Sequence, residues 1–64
     1  MHYQFKVTYD IKHVNKKSAL YGLLSSNQTC KFSALQDAVK FVHQMYGKRT
    51  SKYHVIGMPI IERI

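Results

Sequence analysis

Two groups of basic residues have the side chains and the spacing to bind phosphate. One group lies within residues 12–17 and the other within residues 48–52, and Lys6 extends the positive charge along the chain. Lysine attracts phosphate through charge, without the bidentate geometry that arginine brings to base recognition. The sequence therefore predicts nucleic-acid contact of low sequence specificity, through Lys6, Lys12, Lys16, Lys17, Lys48, Arg49 and Lys52.

The overall charge of the chain agrees with this interpretation. Its 64 residues include ten Lys and Arg but three Asp and Glu, which gives a formal net charge of +7. Such an excess favours an anionic partner, either a nucleic acid or an acidic protein surface. The alternative function is therefore a small protein-interaction module, an inhibitor or adaptor of the kind encoded by phages and mobile elements, acting on an acidic protein partner.

Residues that commonly perform catalysis or bind metals lack the required spacing. The four histidines form no metal-binding motif, and Cys30 is the single cysteine, which excludes an internal disulfide and a Cys-based zinc site. An acid–base pair of His43 or His54 with Lys52 is conceivable, but no pattern brings these residues together. We therefore expect no enzymatic activity, no metal and no cofactor.

The chain shows no pattern typical of targeting or membrane insertion. Its first residues do not resemble a signal peptide, and no window approaches 18 apolar residues. A single cysteine is compatible with a reducing compartment. We expect a cytoplasmic protein with no membrane partner, folded as one domain over residues 1–64.

The first element that must position these residues is a strand. Apolar and polar residues alternate over residues 3–12, and this period of two is typical of a strand with one buried face. The face predicted to meet the core consists of Tyr3, Phe5, Val7, Tyr9 and Ile11.

The pattern after this strand is less regular. Residues 13–18 are polar and predict a hairpin loop, followed by a second strand near residues 18–26. Gly22 suggests a bulge within that strand, residues 27–28 suggest a turn, and residues 29–32 look extended. Whether residues 18–32 form one strand or two stays open.

Residues 33–47 have the start and stop signals of one amphipathic helix. Ser33 and Gln36 match a capping box, and Gly47 is suited to a left-handed C-terminal cap. The apolar stripe predicted to face the sheet consists of Leu35, Ala38, Val39, Val42, Met45 and Tyr46.

A last strand over residues 53–64 completes the predicted fold. Gly57 and Pro59 indicate a local irregularity or an edge position. A right-handed crossover through the helix predicts an α+β fold, β-β-α-β, with an antiparallel sheet of three or possibly four strands in the order 2-1-3. In that order the two basic loops share one end of the sheet.

One helix covers one face of a sheet, and the chain has more apolar residues than that face requires. This surplus predicts a second contact surface, either for a partner protein or for a homodimer, formed by Leu20, Leu24, Val55 and Ile61. Most tyrosines are expected in the core, including Tyr21, with Tyr53 the best exposed candidate for base stacking.

Overall fold

The chain forms a three-stranded antiparallel sheet with one helix packed against one face. The structure is a computed structural model and describes residues 2–64. The sheet order is β2-β1-β3, which confirms the predicted α+β fold, its β-β-α-β order and its 2-1-3 arrangement. The elements are β1 (Phe5–His13), β2 (Leu24–Phe32), α1 (Leu35–Met45) and β3 (Tyr53–Arg63).

Strand β1 is central and directs its odd-numbered side chains toward the helix. Val7 is fully buried, and it lies opposite Cys30 on β2 and Ile61 on β3. Because directly opposed residues in antiparallel strands share a face, the register also defines the face that the helix leaves uncovered. We call this second side of the sheet the open face. Its β1 residues are Lys6, Thr8, Asp10 and Lys12.

Both ladders of β1 shift register near Tyr9. On the β2 side the shift contains Asn27, which has a positive φ of 62°. On the β3 side it contains Gly57, with a φ of 72°. Positive φ is unfavourable for most residues but accessible to glycine and, at lower cost than for others, to asparagine. The irregularity predicted at Gly57 is confirmed, and Pro59 lies in an edge strand as expected.

The second strand lies further along the chain than predicted. Residues 14–23 form a loop, so the predicted strand near residues 18–26 and the short hairpin loop over residues 13–18 are wrong. Residues 24–32 form one strand with its register shift at residues 26–27, so the turn predicted at residues 27–28 is wrong. The physical reason is that successive turns occupy this segment: the amides of Tyr21 and Leu23 donate to the carbonyl oxygens of Ser18 and Leu20, and Gly22 has a positive φ. The apolar residues of the loop stay exposed.

The helix is shorter than predicted at its start. It begins at Leu35 with Ala34 as the extended N-cap residue, and no side chain caps it, so the predicted capping box of Ser33 and Gln36 is wrong. Ser33 stands one residue too early for that role. Gly47 has the predicted left-handed conformation, with φ 69°. Among the described residues, no helix has the length and apolar character needed to cross a membrane.

The core lies between α1 and the three strands. Its centre is Val7, Ala38 and Val42, with Phe41 packed against them. The Phe41 ring lies 5.8 Å from that of Tyr9 and 5.2 Å from that of Phe32, centroid to centroid. The helix therefore contacts the sheet through a narrower stripe than predicted. Three residues expected in that stripe, Leu35, Val39 and Tyr46, are exposed.

Candidate nucleic-acid interface

The loop that follows β1 and the loop that precedes β3 lie side by side. The backbone amide of Val14 donates a hydrogen bond to the carbonyl oxygen of Lys52 across 3.0 Å. Lys12 lies opposite His54 in the sheet, and His54 also forms a bridge with Arg49. The two basic groups thus share one end of the sheet. We call this surface the basic end; its cations are Lys12, Lys16, Lys17, Lys48, Arg49 and Lys52.

Short turns order the loop over residues 14–23. The Asn15 side-chain oxygen accepts from the Lys17 amide at 3.0 Å, and the Ser18 hydroxyl oxygen accepts from the Leu20 amide at 3.1 Å. The Gly22 amide donates to the His13 carbonyl oxygen at 2.8 Å and returns the chain to the end of β1. Asn and Ser are suited to such turns because their side chains substitute for backbone acceptors. This local chemistry keeps Lys16 and Lys17 on a defined loop.

Thr50 organises the second basic loop. Its hydroxyl donates to the Tyr53 carbonyl oxygen at 3.0 Å and accepts from the Lys52 and Tyr53 amides at 3.1 and 2.9 Å. The amide of Val55 donates to the Lys48 carbonyl oxygen at 2.9 Å. These bonds hold the backbone of the loop against β3, so that its basic side chains project from an ordered turn.

The basic end carries little negative charge to compensate its cations. All six of its cations are exposed. The three acidic residues of the chain are Asp10, Asp37 and Glu62, and of these Asp10 alone is close in the sequence to a basic-end residue, two positions from Lys12. Uncompensated cations in adjoining loops produce a positive potential that attracts polyanions. The basic end is therefore an electrostatic site suited to phosphate.

Lys6 stands apart from the basic end. It lies six residues from Lys12 along β1, a distance of about 20 Å at the rise of a strand. Its ammonium group lies 3.7 Å from a carboxylate oxygen of Glu62. Both side chains are well exposed, so this ion pair contributes little to stability, but it lowers the net positive charge around Lys6.

Two exposed tyrosines lie near these cations in the sequence. Tyr21 is 53% exposed within the loop after β1, and Tyr46 is 63% exposed at the end of α1, two positions before Lys48. The core prediction is wrong for both and for Tyr3, which is 51% exposed, and Tyr53, predicted to be exposed, is half-buried. The sequence contained a signal of this exposure. If residues 20–24 formed a strand, apolar side chains would lie on both of its faces, and a sheet with one covered face buries only one of them.

Two of the four residues predicted to contact a partner protein or a second copy of the chain are covered by the core. Val55 is 7% exposed, and Ile61 packs against the core, because both lie on the helix side of β3. Leu20 and Leu24 are exposed as expected. The exposed apolar residues of β3 on the open face are instead Ile56 and Ile60, which lie opposite Asp10 and Thr8.

The two histidines considered for an acid–base pair lie on opposite sides of the sheet. His43 is exposed on α1, whereas His54 lies opposite Lys12 on the open face, two residues from Lys52. Nε2 of His13 lies 2.7 Å from the Ser25 hydroxyl oxygen. Within residues 2–64, no group of three or more His, Cys, Asp or Glu side chains is placed to hold a metal ion.

Comparison with known proteins gives no match to a family model, a curated protein or a solved structure. What the basic end does chemically follows from its side chains alone. Ammonium and guanidinium groups neutralise phosphate oxygens and donate hydrogen bonds to them. The arrangement is suited to binding a polyanion.

Proposed function

We propose that this chain is a small nucleic-acid-binding module that contacts phosphates through the basic end with low sequence specificity. The observation that carries the proposal is the meeting of six exposed cations, Lys12 near the end of β1 and five in the two loops joined by the Val14–Lys52 hydrogen bond. A cytoplasmic location belongs to the same proposal, since a single cysteine suits a reducing compartment.

Phosphate binding by this surface has a measurable consequence. Each phosphate neutralised by a cation releases condensed counterions, so the affinity falls as salt rises. If all six cations engaged a duplex, the slope of log K against log salt would be about −5. Lysine predominates among the six, which favours backbone contact over base reading.

A pair of matched charge variants tests this function. The first changes Lys16, Lys17, Lys48 and Lys52 to Gln, and the control changes Lys6, Lys31, Lys40 and Arg63 to Gln, so both lose four charges. Binding to labelled DNA and RNA is measured at about 50 mM and about 200 mM salt. We expect the first variant to flatten the salt slope by about 3.6 and the control by less than about 1.

Two results would contradict the proposal. One is the absence of binding by the unmodified protein at the lower salt concentration. The other is an equal loss of slope in both variants, which would mean that overall charge, and not the basic end, determines binding.

A second candidate function, protein–protein contact, has support from the open face. Leu24 on β2 and Ile56 and Ile60 on β3 are exposed there, on either side of the polar residues of β1. Exposed apolar residues beyond those that the core requires favour an interaction site. We expect a homodimer at high protein concentration. Light scattering tests it, and Ile60→Thr should return the mass to that of a monomer. A monomeric mass for the unmodified protein at about millimolar concentration would contradict the prediction, because most specific complexes have dissociation constants far below that concentration.

A further inference from the structure

The loop after β1 carries an apolar tip inside the basic end. Leu20, Tyr21, Leu23 and Leu24 are 48, 53, 54 and 64% exposed. Single exposed apolar residues are common on protein surfaces, but four within five positions, three in the loop and Leu24 at the start of β2, are not explained by the core. We call these four residues the apolar tip.

Backbone hydrogen bonds order the apolar tip. The Tyr21 amide donates to the Ser18 carbonyl oxygen at 3.2 Å, and the Leu23 amide donates to the Leu20 carbonyl oxygen at 2.9 Å. Gly22 has a φ of 83°, which reverses the chain between Tyr21 and Leu23. An ordered tip binds a partner at a lower entropic cost than a tip that must first be ordered.

Cations stand on both sides of the apolar tip. Lys16 and Lys17 precede it in the loop, and Lys12 lies opposite Leu24 in the sheet. The second basic loop adjoins the first at the Val14–Lys52 hydrogen bond. Such a surface combines an exposed aromatic ring with surrounding positive charge. It is complementary to a polymer that carries planar rings along a backbone of phosphates.

We propose that the apolar tip selects single-stranded over double-stranded nucleic acid. This inference rests on the proposed function of the basic end. Unpaired bases expose the faces that a duplex keeps stacked, and an aromatic side chain in a positive groove stacks on them with little regard to sequence. Tyr21 stacks on a base, the leucines of the tip contact its neighbours, and the basic end holds the phosphates.

Other parts of the molecule are poorly suited to reading a duplex. Lys40 is the one cation of α1, and Asp37 offsets its charge, so the helix lacks the basic residues of a major-groove reader. The open face carries one ring among its paired residues, the imidazole of His54 opposite Lys12, and no Phe, Tyr or Trp. We therefore assign base stacking to the loop, where cations lie on both sides of Tyr21.

Substitution of Tyr21 separates stacking from charge. The probes are a labelled oligothymidylate of about 12 nucleotides and a duplex of about 12 base pairs, at about 50 mM and about 200 mM salt. We expect Tyr21→Ala to weaken single-strand binding about 5- to 100-fold and duplex binding by less than about twofold, with an unchanged salt slope. Tyr21→Phe should retain single-strand binding. Tyr3→Ala, at an exposed tyrosine before β1, is the matched control and should change neither.

The outcomes distinguish this inference from the function on which it rests. If the unmodified protein binds neither probe, the proposed function fails. If it binds both with a normal salt slope and Tyr21→Ala affects both equally or neither, the selection of single strands fails and phosphate binding stands. Tight binding to vesicles of phosphatidylserine and phosphatidylcholine that is lost in Leu20→Ser and Leu23→Ser, with no effect on oligothymidylate, would assign the tip to a lipid surface and overturn the inference.

Discussion

The amide of Val14 and the carbonyl oxygen of Lys52 lie 3.0 Å apart, and this hydrogen bond joins two loops that are distant in the sequence. It follows from the sheet order β2-β1-β3, because β1 ends where β3 begins. One backbone contact thereby turns two separate basic runs into the single surface that carries the proposed function.

We predict that Thr50→Val destabilises the protein by about 1–2 kcal/mol, because its hydroxyl makes three hydrogen bonds within the second basic loop. Urea denaturation followed by circular dichroism measures the free energy of unfolding. Thr50→Ser keeps the hydroxyl and is expected to lose well under half of that amount. A loss in Thr50→Val no larger than that in Thr50→Ser would show that the hydrogen bonds contribute no more than the methyl group, and would contradict the prediction.

Asp10 is expected to weaken phosphate binding slightly. Its carboxylate accepts a hydrogen bond from the Asn27 amide at 3.0 Å, and it lies two residues from Lys12. Asp10→Asn keeps an acceptor oxygen for that amide and removes the negative charge. We expect affinity for nucleic acid to rise about twofold at low salt, with stability changed little. A lower affinity in a folded Asp10→Asn protein would contradict the electrostatic description of the basic end.

Ala38 is fully buried at the centre of the core, where α1 packs on the sheet. We therefore predict that stability is sensitive to substitution there. Ala38→Leu adds volume where no space exists, and we expect a loss of about 1–3 kcal/mol. For a domain of this size each kcal/mol lowers Tm by about 4–8 °C. Gln36→Leu, at an exposed helix position, is the matched control and should change Tm little. Similar effects of the two substitutions would argue against the core described above.

Stability at alkaline pH should depend on Tyr9. Burial raises the pKa of its hydroxyl, and nearby Tyr53 and Cys30 raise it further by repulsion between negative charges. The folded state therefore favours the neutral phenol. This contribution is fully present below the unfolded pKa of about 10 and is lost as pH rises through the folded value.

The measurement compares unfolding free energies of the unmodified protein and Tyr9→Phe between pH 7 and pH 11, a range chosen around the ordinary tyrosine pKa of about 10. The difference between the two proteins should be constant up to about pH 9 and should then shift in favour of Tyr9→Phe. The comparison cancels the deprotonation of lysines, which both proteins share. A pH-independent difference would refute the prediction.

Local patterns in the sequence were enough to predict elements that satisfy local rules. The alternation over residues 3–12 identified β1 and the side of it that faces the helix, since side chains in a strand point alternately to two sides, but Tyr3 lies before the strand and is exposed. The left-handed end at Gly47 followed from the conformational freedom of glycine. The strand order followed from the handedness of the crossover, and with it the meeting of the two basic loops.

Tertiary packing decided which apolar residues are buried, and here local patterns were insufficient. Residues 19–24 and the flank of α1 at Leu35, Val39 and Tyr46 have the composition of core segments, yet they are exposed. Conversely, Val55 and Ile61 were predicted to form a second contact surface, but Val55 is buried and Ile61 packs against the core. One helix covers a limited area of a three-stranded sheet, and the centre of that contact at Ala38 and Val42 determines which neighbours fit beneath it.

The sequence by itself determined the charge of this protein, its element types and the strand order that brings the basic loops together. Only the tertiary structure decided that Tyr21 is exposed beside those loops, because exposure depends on what the rest of the chain is able to cover. Charge and chain direction are properties of segments, whereas burial is a property of the whole packed molecule.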